Sequence, residues 1–540
     1  MILKARNYNK MIKGRKVFFW LSVIFLSLLA AFIVCPLAFT LTDFRWLLEG
    51  DLSIALVGWE FYRISPSMEP ITRIANMYPD SGFYILQTDS IPWVSVLAKT
   101  IANRFEIQKP FHFIGIWLIF CWVMQGIYAG LIGQFLKLSR SGKWLLIFLF
   151  IFSPELLFRF GHFSLMAHWI LLASLYEVLR LSLGEKISSV RVLYLIFLVT
   201  ISFGIHPYLF AITAPILGFL IVFNDTKKLR KISELTFLCF LVYTSMTILG
   251  VSAVKNPRGT DFGACNTDLL GIFNSFGSSL FVPELRHFWC QPEGFTYFGL
   301  AFLILLIIFR KALKEFLKLA WRAKPAKYFL ILCGLYIMYS LASPIRFGGN
   351  PIFYISIYSL LEPLPSIFRA SGRWIWPFFY LILIAGVFVF DRSSIRYKKL
   401  GLGLLVLIHF IEFTPLMKVF KDPPRASEAQ LETIISFLPR PDMVNKKMHL
   451  YPRVVSVGCG LDEQQWDYRN YALVMIGLAR TGWHVDSGLG GRFDPDLVEQ
   501  CKDDNKRPPP KTYPLITKKL PENNNKAKEL LPGIFLVEGE

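Results

Sequence analysis

The chain has 540 residues, 54% of them hydrophobic, 16% aromatic and 18% charged, with a mean hydropathy of +0.46. Soluble globular chains average about 45–50% apolar and about 25% charged residues, so an ordinary soluble fold is excluded. The net charge of +20 does not point to nucleic acid, because the basic residues cluster in short gaps between apolar runs, where the positive-inside rule puts cytoplasmic loops.

The apolar runs are about 17–25 residues long, enough to cross a hydrocarbon layer of about 30 Å as helices. Lipid offers the backbone no hydrogen-bond partners, so such runs must be helical. The N-terminal tail carries Lys4, Arg6, Lys10, Lys13, Arg15 and Lys16 and is expected in the cytoplasm. The first run, Val17 to Thr40, is too long for a signal peptide and no cleavage signal stands out after it. It is read as a retained anchor.

A first outer loop, 41–110, follows, rich in Pro, Gly and aromatic residues. A second helix, Phe111 to Leu136, returns to Lys137, Arg140 and Lys143. The next two form a hairpin with an outer turn near Arg159 to His168 and return at Arg180, Lys186 and Arg191. Two more turn outside at His206-Pro207 and come back to Lys227, Lys228, Arg230 and Lys231. The seventh, Leu235 to Val254, leads to an outer loop from Lys255 to Gly294, and the eighth returns to the most basic gap, Arg310 to Lys327. The ninth, Tyr328 to Ala342, leads out to Ser343–Arg373, the tenth, Trp374 to Phe390, comes back to Arg392, Arg396, Lys398 and Lys399, and the eleventh, Leu400 to Leu416, exits. The expected fold is therefore an all-α polytopic membrane domain over 1–417 with about 11 transmembrane helices.

The tail, 418–540, is soluble in composition and opens with the linker signal Pro423-Pro424. From Ser427 an amphipathic helix is expected with apolar Leu431, Ile434, Ile435 and Leu438, and Tyr471–Arg480 is a second helix candidate. His449–Tyr451, Val454–Val457 and Ile534–Val537 are strand candidates. Together they predict a small extracytoplasmic α/β domain. Four of the eight cysteines (Cys35, Cys121, Cys239, Cys333) fall in spans and the other four in outer segments, where disulfides persist. The pairs Cys265–Cys290 and Cys459–Cys501 are predicted, each worth roughly 3–4 kcal/mol, against unpaired thiols as the alternative. Zinc is disfavoured, since no two cysteines are closely spaced.

The first outer loop, at about 70 residues, is far longer than a simple connection and is expected to carry function. Asp51 opens a largely apolar stretch expected along the membrane interface. A carboxylate there can take a proton from an acceptor hydroxyl or hold a divalent metal; the alternative is a helix N-cap. Asp89, in Thr-Asp-Ser-Ile-Pro, is either a helix cap or a second polar ligand in the site. Arg159, His162, His168 and His206 converge on the outer side and suit a lipid-linked phosphate, whereas a lone His there is more often a satisfied polar residue. Arg369 and Arg373, four apart on one helical face, either bind phosphate through their planar forks or snorkel to headgroups; Arg63 and Arg346 are lesser candidates. No phosphate-binding P-loop, dinucleotide fingerprint or HExxH metal motif is present. An activated lipid or other membrane-borne donor would then supply the energy.

Gly50-Asp51, Gly58-Trp59-Glu60-Phe61-Tyr62-Arg63, Tyr78-Pro79 and Thr88-Asp89-Ser90-Ile91-Pro92 resemble an uncharacterised bacterial family of polytopic membrane proteins that looks like the GT-C glycosyltransferases. Gly115-Ile-Trp117, Gln125-Gly126, His162 to Trp169, Phe262 to Leu270, Glu293 to Gly299 and Phe368 to Arg373 extend the resemblance over most of the chain, and Cys459 and Cys501 look like the family's tail. The resemblance implies a transferase taking a sugar from a polyprenyl-phosphate-linked donor on the outer face of the bacterial inner membrane. It implies a catalytic role for Asp51 and donor-phosphate binding by Arg369, Arg373, His162 and His168; from the residues themselves, Asp89 is the second catalytic candidate and Arg63 a further phosphate ligand. The acceptor would be an envelope glycan, a lipid or a protein. The absence of an Asp-X-Asp pair in the first loop leaves a divalent metal open, with Asp51 as its possible ligand. The alternatives are a flippase or transporter of lipid-linked glycan, a membrane acyltransferase using His168 or His206, and a non-catalytic envelope assembly protein.

Overall fold

The computed structural model describes residues 2–78, 83–253, 262–360, 364–418, 427–439, 447–457, 459–461, 466–489, 495–506, 514–518 and 527–537. Pro79, Lys255 and the Pro423-Pro424 linker lie outside them, as do the side chains of the N-terminal basic residues up to Arg15.

The fold is mostly helical. Six helices among the described residues are long and apolar enough to cross a membrane: Lys16–Val34, Ile114–Phe135, Arg140–Phe158, Phe163–Ser182, Lys228–Ile248 and Ser371–Arg392. The other five expected spans contain the helices Ser189–Phe203, Pro207–Phe223, Leu300–Ile308, Lys324–Leu341 and Lys398–Glu412. Length is lost where a Gly or Pro stops the run. Gly204 and Pro207 separate the first two of these helices, and Gly299 starts the third. The basic stretch expected as a bare loop at Arg310 to Lys327 is itself helical over Arg310–Arg322.

Breaks within the bundle leave carbonyls that need donors. Pro154 has no N–H and ends the helix Arg140–Ile151 before Pro154–Phe158 resumes it. The freed carbonyls are taken from other helices. The Trp122 indole N–H donates to Ile151 O at 3.0 Å, and His409 Nε2 donates to Phe152 O at 3.0 Å. An apolar medium makes such replacements obligatory.

The first long loop is packed within the protein. Its helix Gly50–Ile64 is buried from Leu52 to Tyr62. Gly58 permits this, since a Cβ there would sit 2.5 Å from the Thr88 side chain. The tail covers the other side. Its helix Tyr468–Thr481 packs along Gly50–Ile64, and Arg480 pairs with Glu60 at 2.7 Å. Main-chain bonds Tyr78 N–H to Val485 O and Val485 N–H to Asn76 O, both 2.9 Å, extend the union.

The tail is α/β, with the helix Ser427–Phe437 and a five-stranded mixed sheet. The strand order is Ala527–Leu531, Ile534–Val537, Leu515–Thr517, Lys447–Tyr451, His484–Val485. Lys447–Tyr451 runs parallel to both neighbours, pairing His449 with Leu515 and Lys447 with His484, and the other pairings are antiparallel. Both predicted disulfides are present, with Cα separations of 4.4 Å for Cys265–Cys290 and 6.3 Å for Cys459–Cys501. Cys35, Cys121, Cys239 and Cys333 are unpaired.

Candidate functional site

Seven stretches of the chain close around a cavity of about 330 Å³: the start of the helix Gly50–Ile64, the turn 86–92, His162, residues 203–208, Val251, the disulfide loop 265–293, and the turn 369–373. Its charged wall carries Asp51, Asp89, His162, Glu293, Arg369 and Arg373. Leu86, Phe203, Ile205, Val251 and Trp289 form the apolar part.

Asp51 is the second residue of its helix, in the first turn, where a negative charge meets the helix dipole favourably. The N-cap position is Glu49, so Asp51 is not the cap. Asp89 is not a cap either: Ile91 holds the N-cap position of Pro92–Arg104. Asp89 and Ile91 adopt left-handed φ values of +54° and +48°. Asp tolerates that region, but for a β-branched Ile it is strained, and such strain collects at functional sites.

Arg369 and Arg373 share the cavity without sharing an α-helical face, because Ser371–Ile375 is a 3₁₀ turn. Glycines set this turn against the disulfide loop. A Cβ on Gly372 would lie 2.4 Å from Gly294 Cα, and the Gly372 N–H donates to Cys265 O at 2.9 Å. Tyr208 holds the turn from the other side. Its hydroxyl accepts from Ala370 N–H at 2.8 Å, and its ring lies 4.5 Å beneath the Arg373 guanidinium.

The hub of the site is Glu293, which sequence reasoning did not single out as a site residue. Its Oε2 accepts from Arg159 at 2.6 Å and from Arg373 at 2.8 Å, and its Oε1 lies 3.2 Å from His162 Nε2. The other ring nitrogen, Nδ1, lies 2.5 Å from Asp51 Oδ2. His162 is therefore bracketed by two carboxylates. Burial by itself would lower its pKa, but the hydrogen bonds and charges of Asp51 and Glu293 outweigh burial and push it up to about 9. Burial would raise the Glu293 carboxyl, but Arg373, Arg159 and His162 together hold it well below the usual carboxylate range. At neutral pH the chain Asp51–His162–Glu293–Arg373 thus alternates in charge. Arg159 is almost wholly buried and also donates to the carbonyls of Pro292 and Glu293 at 2.8 and 3.0 Å, fixing the turn that carries Glu293. A sequence signal for Glu293 did exist: an acidic residue three positions after a cysteine predicted to be cross-linked.

Two expected phosphate ligands lie elsewhere. His168 does not line the cavity. It is buried with Nδ1 2.7 Å from the Tyr380 hydroxyl and its ring 4.3 Å from that of Trp376. Arg63 pairs with Glu60 at 3.2 Å, next to the Glu60–Arg480 contact that docks the tail. Arg346, the lesser candidate, stacks on Phe288 at 3.9 Å. His206 lines the cavity and caps Pro207–Phe223 by accepting the Tyr208 N–H at Nδ1, 3.2 Å.

Among the described residues no group of three or more His, Cys, Asp or Glu is disposed to hold a metal ion.

No curated protein matches the chain. Residues 24–414 match a domain of unknown function, DUF6311, and the chain belongs to that family.

Proposed function

We propose that the chain is a multi-pass protein of a bacterial inner membrane, with a cytoplasmic N-terminus and a periplasmic tail over 418–540. In this reading it is a GT-C-like glycosyltransferase that transfers a sugar from a polyprenyl-phosphate-linked donor to an envelope glycan, lipid or protein. The observation that carries the reading is one cavity in which the carboxylates of Asp51 and Asp89 face the guanidinium groups of Arg369 and Arg373, beside an apolar wall. Such a cavity suits an amphiphilic donor: the isoprenoid chain meets Leu86, Phe203 and Val251, and the phosphate meets arginine forks.

The chemistry follows from these groups. The acceptor hydroxyl loses its proton to Asp51, whose other oxygen is steadied by the His162 imidazolium. The acceptor oxygen bonds to the anomeric carbon as the bond from that carbon to the phosphate oxygen breaks. Polyprenyl phosphate leaves with the electron pair, and Arg369 and Arg373 stabilise its charge. Glu293 keeps Arg373 and His162 in position, and no step is assigned to a metal.

The test is transfer by the purified full-length protein in proteoliposomes supplied with labelled polyprenyl-phosphate sugars and envelope acceptors. Asp51→Asn is expected to lower transfer by about 10²–10⁴-fold while insertion and thermal stability persist. Undiminished transfer by that variant removes Asp51 from the mechanism. Failure of every polyprenyl-phosphate sugar to donate, with lipid-linked glycan instead crossing the bilayer, replaces the transferase with a flippase.

A further inference from the structure

We propose that the helix Arg310–Arg322 and the groove beside it bind an anionic phospholipid on the cytoplasmic side, an inference that rests on the membrane reading above. The helix has five basic residues, Arg310, Lys311, Lys314, Lys318 and Arg322, against one acidic residue, Glu315. At 100° per residue, the basic residues occupy one arc of the helix, and Leu313, Phe316, Leu317 and Ala320 occupy the opposite one. This is the pattern of a helix lying in the plane of a membrane interface.

Two further observations take it from a pattern to a site. None of the helix's residues is buried, and Leu317, Leu319 and Trp321 are 42%, 66% and 50% exposed. Leu317 lies on the apolar arc and Leu319 and Trp321 on its two flanks, so the chain covers this side only in part, with Leu313, Phe316 and Ala320 half-buried. Between this helix and Leu300–Ile308 runs an open groove of about 470 Å³, walled by Leu306, Leu313, Leu317 and Trp321 and flanked by Arg310, Lys314 and Lys318. An apolar trough with a cationic edge is complementary to an acyl chain with an anionic headgroup.

The position is fixed by packing. Phe316 meets Phe388, at 5.5 Å between ring centroids, near the Arg392 end of the span Ser371–Arg392. The helix is thus held at the end of a membrane-length helix. A neutral lipid would satisfy the apolar wall equally well, so the three flanking cations are what select charge.

The test uses the full-length protein in phosphatidylcholine vesicles containing a minor fraction of either dibrominated phosphatidylglycerol or dibrominated phosphatidylcholine. Bromine quenches a tryptophan in contact with it, and the Trp321 signal is isolated by subtracting the emission of W321F. Each basic residue near an anionic surface is worth about fivefold, so the phosphatidylglycerol preference at Trp321 should be about tenfold or more. It should fall at least about fivefold in R310Q/K314Q/K318Q, where the groove's apolar wall is intact. Equal quenching by the two lipids in the wild type overturns the anionic site while leaving the membrane placement standing. Quenching by neither means that protein or a second copy of the chain covers the helix, or that it lies outside the bilayer, and overturns the proposal. A preference that survives undiminished in the triple variant also refutes it.

Discussion

Replacing Glu293 with Gln removes one charge from a cluster in which that charge compensates three cations. The Arg159 and Arg373 side chains are only 1% and 9% exposed, and both bond to the same Glu293 oxygen, at 2.6 and 2.8 Å. A Gln carbonyl oxygen in the place of Oε2 can still accept from both guanidiniums but carries no charge, and its amide nitrogen faces His162 as a second donor and repels its N–H. Arg159 retains Glu155, 3.3 Å from its Nε, whereas no other ion pair is formed by Arg373 among the described residues. The loss therefore falls chiefly on Arg373. Breaking a buried pair by removing one partner costs about 3–5 kcal/mol, because the remaining charge stays buried without compensation. Thermal unfolding of the solubilised protein should show a lowered midpoint for Glu293→Gln. The double variant Glu293→Gln/Arg373→Gln should recover part of that loss, since the orphaned charge is gone. Equal stability of wild type and Glu293→Gln, or a double variant with simply additive losses, would refute the assignment of Glu293 as the charge hub.

The same cluster sets a pH window. His162 is raised from 6.5 to about 9, so its stabilisation is complete below pH 6.5 and is lost as pH climbs through about 9. Glu293 is lowered from 4.5, so its contribution is present above that value and disappears as pH falls through its depressed pKa. Unfolding midpoints measured across pH should peak between these limits, and His162→Gln should remove the alkaline fall. Gly372→Ala should cost about 1–3 kcal/mol by overpacking, because the new methyl meets the Gly294 backbone at 2.4 Å and not a side chain that can turn away. Its midpoint shift is measurable by the same unfolding assay, and the proposed transferase activity should then show weakened donor binding as Arg373 is pushed from its seat.

Much of the fold is legible in the residues. Each of the eleven apolar runs contains a helix, because composition and hydrogen-bond satisfaction act locally along a segment. Length was less legible: Gly299 cuts into an expected run, and the helices on either side of the expected turn at His206-Pro207 are only 15 and 17 residues long. Part of the tail was readable for the same local reason, and Ile534–Val537 forms with its expected bounds, but only Ser456–Val457 of the expected Val454–Val457 is a strand, and Pro495–Asp504, His484–Val485, Leu515–Thr517 and Ala527–Leu531 were not read. That the tail clasps the first-loop helix through Arg480 and Glu60 was not readable, since nothing near either residue in sequence signals the other.

The cavity divides in the same way. Residue type alone marked Asp51, Asp89, His162, Arg369 and Arg373, and all five line it. Type alone also marked His168 and Arg63, which bond to Tyr380 and Glu60 instead. By itself the sequence determined which segments are apolar helices, where basic gaps fall and which outer cysteines pair. Only the tertiary structure decided that Glu293 joins Arg159, Arg373 and His162. Charge compensation acts over a few ångströms in space, and these partners lie up to 134 residues apart along the chain.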